Sequence, residues 1–244
     1  MNRRNALRIQ QAPHGLGNSL LDALTHAEFR RLFASIEPVT LKFGDVLQEP
    51  GAPIRYVYFP VDCVISLLTP VKDHPDLGIA LVGREGMVGI PLALGVDFSS
   101  RRALVQGAGT AMRMESAPFR RAILQSMPLR QALYRYKHAL VGQIGQLAAC
   151  NQFHPMQARL ARYLLMTADH ANLTEIRLTQ EFLASMLGVE RSAVTHASGA
   201  LEKDGLIKCG RGKMTILDRN RLGAASCDCY RIIKRIYARM YAFG

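Results

Sequence analysis

The stretch that most constrains the fold is residues 178–207, LTQEFLASMLGVERSAVTHASGALEKDGLI. Apolar residues recur at helical intervals on both sides of Gly188, which predicts two short helices joined by a tight turn. Thr179 is expected to cap the first helix, because its hydroxyl can accept from a free N–H of the first turn. Two helices joined in this way form a helix-turn-helix.

The second of these helices has two different faces. Ala193, Val194, Ala197 and Leu201 form the inward side, and the outward side carries Gly199 with the polar residues Arg191, Ser192, Thr195 and His196. A helix that enters the major groove of DNA needs small residues for close approach and polar side chains that reach base edges. The four polar residues are therefore predicted to read bases. The alternative is an ordinary solvated helix face.

The residues after the second helix, LIKCGRGKMTILD, predict two short strands around Gly210 and Gly212. Such a strand pair can act as a wing whose Lys208, Arg211 and Lys213 contact phosphates, as Thr179 would at the first helix. Residues 153–244 contain 14 Lys and Arg and 8 Asp and Glu, a net charge of +6, and the whole chain carries +12. This excess points to a polyanionic partner, either nucleic acid or an anionic membrane surface, and together with the motif it favours double-stranded DNA.

The first half of the chain has a different pattern. Residues 18–37 predict a helix with a capping box at Thr25 and Glu28, ended by Pro38. From about Val39 to Met114, short apolar runs recur roughly every ten residues between turn residues, which predicts an antiparallel β-roll. Ser116 is a candidate cap for a following helix. The predicted fold class is therefore α+β.

A long helix is predicted from Pro128 to about Gln152. Its apolar residues follow steps of three and four, close to a coiled-coil seam, and Gly142 and Gly145 would allow a second helix to approach. We therefore expect a homodimer that pairs through Leu133, Tyr136, Leu140, Ile144 and Leu147. The alternative is a helix that packs on its own β-domain.

These patterns divide the chain into an arm at 1–17, a β-roll at 18–127, a dimer helix at 128–152 and a winged helix-turn-helix with a C-terminal helix at 153–244. No apolar run reaches the roughly 18 to 20 residues of a membrane helix, and no secretory signal opens the chain. We therefore expect a cytoplasmic protein without a membrane partner. No nucleophile elbow, phosphate loop or GxGxxG fingerprint is present, so no enzyme activity is predicted.

The five cysteines are scattered, which argues against a disulfide framework. Cys227 and Cys229 form a close pair that could ligate a metal or act as a regulatory thiol pair. A single C-x-C is weak evidence, so no metal is predicted and reduced cysteines are the default. The tail CYRIIKRIYARMYAFG predicts an amphipathic helix that packs on the winged domain, with a membrane surface as the alternative.

The order of β-roll, long helix and winged helix-turn-helix resembles the Crp/Fnr family of bacterial transcription regulators, and residues 178–207 resemble its recognition signature. The resemblance implies a homodimer that binds a palindromic site and acts through RNA polymerase. It assigns base reading to the positions of Arg191, Ser192 and His196. Ser192 stands where many members have a glutamate, so the resemblance also implies a different operator from the best-known one.

In the cyclic-nucleotide-binding members of that family, a Gly-Glu step holds the ribose and an Arg-Ser pair holds the cyclic phosphate. The matching positions here are Gly89, Ile90, Arg101 and Arg102. Isoleucine cannot accept from a ribose hydroxyl, which costs about 1 to 3 kcal/mol and argues against a typical cyclic-AMP site. The two arginines could bind another phosphate ligand, such as a cyclic dinucleotide. The alternative is two surface arginines beside a pocket filled by its own side chains.

Overall fold

The computed structural model describes residues 15–24, 29–30, 32, 35–171 and 175–241. A β-domain is followed by a long central helix and then by a mainly helical domain with a small sheet. The predicted α+β class and the order of its parts are confirmed.

The β-domain is built from two antiparallel sheets. Their strand orders are β1-β7-β3 and β2-β6-β4-β5. Side chains from the inner faces of both sheets fill the core, as in other two-layer β folds. The strands are β1 (Ile36–Leu41), β2 (Val46–Gln48), β3 (Tyr56–Pro60), β4 (Val64–Val71), β5 (His74–Val82), β6 (Arg102–Gly107) and β7 (Gly109–Glu115).

The helix predicted over residues 18–37 is wrong at its C-terminal end. The structure has a short helix α1 (Ser19–Asp22) and helical backbone at residues 29–30 and 32, but β1 already begins at Ile36. Pro38 lies inside β1, opposite Met112. It is tolerated there because β1 is at the edge of its sheet, where a missing N–H need not break a ladder bond. The predicted capping box of Thr25 and Glu28 lies outside the described residues.

Two helices follow the β-domain. Helix α2 (Ser116–Gln125) begins with Glu115 as its cap, one residue before the predicted Ser116. Helix α3 (Met127–Phe153) is the predicted long central helix, and it is capped by the hydroxyl of Ser126, which accepts from the Leu129 N–H at 3.1 Å. Pro128 lies in its first turn, where no intrahelical N–H bond is lost.

The predicted dimer residues of α3 pack inside the protomer instead. Leu133, Tyr136, Leu140 and Leu147 are buried, and Ile144 packs against the same core. The Tyr136 hydroxyl donates to the Met87 carbonyl at 2.9 Å. The alternative of a helix that packs on its own β-domain therefore describes this face, because an apolar stripe does not specify which surface covers it.

The C-terminal domain contains α4 (Met156–Ala171), β8 (Glu175–Ile176), α5 (Gln180–Leu187), α6 (Arg191–Lys203), β9 (Ile207–Gly210), β10 (Lys213–Ile216), α7 (Arg219–Ala225) and α8 (Cys229–Tyr241). The three strands pair in the order β8-β10-β9. The predicted helix-turn-helix, wing and tail helix are all present, and α7 was not predicted. The predicted packing of the tail helix on the winged domain is wrong, because α8 packs chiefly on α3, where the Tyr237 hydroxyl donates to the Gln143 side chain at 2.7 Å.

None of the helices in the described parts of the chain combines the length and the apolar character that crossing a bilayer requires.

Candidate nucleic-acid interface

The turn between α5 and α6 depends on two residues. The Thr179 hydroxyl accepts from the Phe182 N–H at 3.1 Å and so caps α5. Gly188 ends α5 in the left-handed conformation, with φ 62° and ψ 46°, and its N–H reaches the carbonyls at the end of the helix. Glycine adopts this conformation without the steric cost that a Cβ would add. The predicted turn glycine therefore sets the direction in which α6 leaves.

Helix α6 presents the four predicted base-reading residues to solvent. Val194, Ala197 and Leu201 are buried on its inner side, and the exposed side chains on the outer side are Arg191, Ser192, Thr195 and His196. The outer side also contains Gly199, where an added Cβ would meet no atom within 4 Å. This face therefore combines polar reach with space for close approach.

One of the four residues already has partners in the protein. The Thr195 hydroxyl lies 2.8 Å from Gln180 Oε1 and 3.0 Å from the Arg191 carbonyl. It therefore links the second helix to the start of the first. Gln180 was not among the residues predicted from the sequence, although a long polar residue at the first position of α5 is a signal that could have indicated it.

The wing lies beside this face. Lys208, Arg211 and Lys213 are exposed, and the turn between β9 and β10 contains Gly212 with a φ of 71°. Lys213 Nζ lies 2.8 Å from a Glu175 carboxylate oxygen, and this hydrogen bond lowers the pKa of Glu175. Part of the positive charge of Lys213 is therefore neutralised, whereas the ion pairs found among the described residues include neither Lys208 nor Arg211.

Helix α5 also contacts the β-domain. The Ser185 hydroxyl donates to the Asp76 carbonyl in β5 at 2.7 Å. At Gly78 an added Cβ would lie 2.8 Å from the Met186 carbonyl oxygen, so the close approach of the two backbones requires glycine. The first helix of the helix-turn-helix is thus held on the β-domain while α6 faces outward.

The four predicted effector residues do not form an open phosphate cradle. Ile90 is buried and begins a short 3₁₀ helix, and an added Cβ at Gly89 would lie 2.8 Å from Val57 Cγ1. Arg102 pairs with Glu49 at 2.8 Å and Asp76 at 2.5 Å, and the hydrogen bond with Glu49 raises its pKa. Arg101 is half-buried beside it. This packing favours the alternative of two surface arginines beside a pocket that is filled by its own side chains.

Comparison with known proteins gives matches in both halves of the chain. A family model for a Crp-like helix-turn-helix domain matches residues 158–225. The transcriptional regulator SdrP of Thermus thermophilus is 27% identical over 186 residues, 75% of this chain and 90% of that protein. The global nitrogen regulator of Synechocystis sp. is 23% identical over 203 residues, 78% and 90% of the two chains. The structure of FixK2 from Bradyrhizobium japonicum superposes with a TM-score of 0.66 at 14% identity, over 79% of this chain and 98% of that chain.

Proposed function

We propose that this chain is a Crp/Fnr-type transcriptional regulator with a helix-turn-helix DNA-binding domain, and that it acts as a homodimer on a palindromic operator. The observation that carries the proposal is the outward face of α6. Arg191, Ser192 and His196 are exposed there beside a wing with free positive charge. Arg191 would donate to the O6 and N7 acceptors of guanine, whereas Lys208 and Arg211 would contact phosphates.

The homodimer is proposed to form through the outer side of α3. Six exposed positions follow one another at intervals of four, three, four, three and four residues, which is the spacing of a coiled-coil seam. We call them the outer seam: Tyr134, His138, Val141, Gly145, Ala148 and Gln152. Tyr134 and Val141 are 49% and 58% exposed in the protomer, and Gly145 has no atom within 4 Å of an added Cβ. A second copy would cover these apolar side chains and approach closely at the small residues.

We propose that the DNA-bound protein changes transcription by contacting RNA polymerase, as the family resemblance implies. An effector at the β-domain would change DNA affinity by shifting the dimer between two arrangements, with a typical coupling of about 1 to 3 kcal/mol. The positions Gly89, Ile90, Arg101 and Arg102 remain the place to test for it. Ile90, in the place of the ribose-binding glutamate, argues against cyclic AMP, and a cyclic dinucleotide is the candidate to try first. Constitutive DNA binding with a ligand-free β-domain is the alternative.

Operator selection from a random duplex pool tests this function. The full chain should enrich one palindrome whose half-site centres are about one helical turn, roughly 34 Å, apart or a multiple of it. Selections with and without cyclic AMP and cyclic di-GMP reveal whether enrichment depends on either nucleotide. Enrichment of no sequence over random duplex at moderate salt would disprove sequence-specific regulation and leave a non-specific binder.

Substitution of Arg191 separates base reading from phosphate contact. Arg191→Ala should cost about 1 to 3 kcal/mol at one base position of the selected operator. Lys208→Ala is the matched control, because loss of a phosphate contact should weaken binding to all sequences alike and reduce its salt dependence. An Arg191→Ala variant that binds every operator variant with the same relative affinities as the original chain contradicts the assignment.

A further inference from the structure

A cluster of three cysteines and one histidine lies where the central helix meets the DNA-binding domain. Cys150 and His154 are at the end of α3, Cys229 begins α8, and Cys227 lies two residues before it, in the link from α7. Their four ligand atoms all lie within 4.8 Å of one another. The cluster is separate from the outward face of α6 and from the effector positions of the β-domain.

The distances suit a tetrahedral ion. The sulfur atoms of Cys150 and Cys227 are 3.4 Å apart, and Cys229 Sγ is 3.4 Å from His154 Nδ1. In a tetrahedral zinc site with metal–ligand bonds of about 2.0 to 2.3 Å, neighbouring ligand atoms are about 3.6 to 3.8 Å apart. Small movements of these side chains would therefore enclose one ion.

Local structure explains how the four residues meet. Cys150 and His154 are four residues apart, so one turn of helix places them on the same side of α3. Cys227 and Cys229 lie on either side of the exposed Asp228, whose side chain pairs with Arg231 instead. All three cysteines are buried and His154 is half-buried. A closed set of four protein ligands is typical of structural rather than catalytic zinc sites.

The surroundings provide groups that would stabilise a negatively charged cluster. The Gln146 amide donates to Cys229 Sγ at 3.1 Å. Arg159 and Arg162 are buried and lie close enough to Cys150 to interact with it electrostatically. The Nε atom of each arginine has no hydrogen-bond partner. Neither guanidinium forms an ion pair with a carboxylate in the part of the chain that the structure describes. Buried positive groups of this kind need a nearby negative charge.

We propose that Cys150, His154, Cys227 and Cys229 bind one Zn²⁺ ion in a tetrahedral Cys₃His site. Binding would release the three thiol protons to solvent and leave the histidine neutral, so the complex would carry one net negative charge. Thiolate and imidazole ligands in tetrahedral geometry favour zinc over magnesium or calcium. The charge of the complex is the one that Arg159 and Arg162 would neutralise.

The ion would fasten α8 to the end of α3. His154 and Pro155 form the junction between the central helix and α4, so the site would fix the direction in which the DNA-binding domain leaves α3. We therefore expect zinc to raise operator affinity, by about 5- to 150-fold if the coupling is of ordinary size. This consequence, unlike zinc binding itself, rests on the proposed function.

Cobalt titration of the full chain tests the site directly. The protein is purified with a reductant, stripped with a chelator and titrated anaerobically with Co²⁺. One Co²⁺ per chain should give the intense visible absorption of a tetrahedral site with sulfur-to-cobalt charge transfer, and Zn²⁺ should displace it. Cys227→Ser and Cys229→Ser should each weaken metal binding by at least about 10-fold. Cys209→Ser, which lies outside the cluster, is the control and should bind as the original chain does.

Three results would overturn the proposal. They are binding of less than one ion per chain, a weak octahedral cobalt spectrum, and purification with an iron–sulfur chromophore on the same residues. The unsubstituted chain gives all three readouts, so they do not depend on whether a variant folds. If the chain binds zinc but selects no operator, the zinc site stands and the proposed function fails. If the chain selects an operator but binds no zinc, the proposed function stands and the zinc site fails.

Discussion

The two sides of the central helix have similar spacing but different surroundings. The inner side, with Leu133, Tyr136 and Leu140, is buried in the protomer, whereas the outer seam is exposed. Both sides repeat at intervals of three and four residues, which is all that a helix requires to form a stripe. The difference lies in the covering surface, because the β-domain and α8 cover one side and the described residues leave the other open. Periodicity thus identifies a face that needs a partner, but tertiary structure decides the partner.

A charge placed on the outer seam should produce the largest effect. Val141→Glu leaves an exposed glutamate in the protomer, so folding should be unaffected, but a dimer would have to bury it. Loss of the dimer should reduce operator affinity by about 10² to 10⁴-fold, because each half-site would then be bound separately. Analytical ultracentrifugation and operator titration measure the two effects.

Leu124→Glu is the control for that substitution. Leu124 is 79% exposed on α2, so the same kind of charge is introduced outside the seam. The control should remain dimeric with unchanged affinity. If Val141→Glu also remains a dimer with the affinity of the original chain, the outer seam is not the dimer interface.

Truncation of a buried side chain on the inner side of α3 should lower the stability of the fold rather than break the dimer. Leu140 is 3% exposed, and Leu140→Ala should lower the free energy of unfolding by about 2 to 5 kcal/mol through lost burial and a cavity. Denaturant unfolding at one fixed protein concentration measures this, because dimer stability depends on concentration. Leu124→Ala should change stability by less than about 0.5 kcal/mol. Equal effects of the two substitutions would contradict the burial of the inner side.

Features formed by neighbouring residues were predictable from the sequence. The turn at Gly188 and the polar face from Arg191 to His196 lie within one short segment, and local periodicity and turn chemistry determine them. The first strand was not predictable from the sequence, because Pro38 is acceptable in β1 only if β1 lies at the edge of a sheet, and the sequence does not show which strands are edges. Nor was the cysteine cluster, since Cys150 and Cys227 are 77 positions apart and meet only when α8 packs on α3.

The inner contacts also include a titratable pair, which gives the smallest expected effect. His170 Nδ1 in α4 lies 2.9 Å from a Glu85 carboxylate oxygen. Glu85 is in the loop after β5, where the Tyr136 side chain packs against the neighbouring Gly86. Burial alone lowers the pKa of His170, but attraction to Glu85 and Asp169 outweighs burial and the opposing Arg84, so the net shift is upward. Burial raises the pKa of Glu85, and His170 reverses the sign of that shift.

The directions of the two pKa shifts define the pH range over which this pair stabilises the folded protein. The histidine contributes stability below its unfolded pKa of about 6.5 and loses it as pH rises through the folded value. The glutamate contributes above its unfolded pKa of about 4.3 and loses it as pH falls through the folded value. The pair should therefore stabilise the contact between α4 and the β-domain most at mildly acidic pH. In thermal melts from about pH 5 to about pH 9, the stability advantage of the original chain over His170→Gln should shrink as pH rises. A difference that stays constant over this range would show that the pair is not ionised in the folded protein.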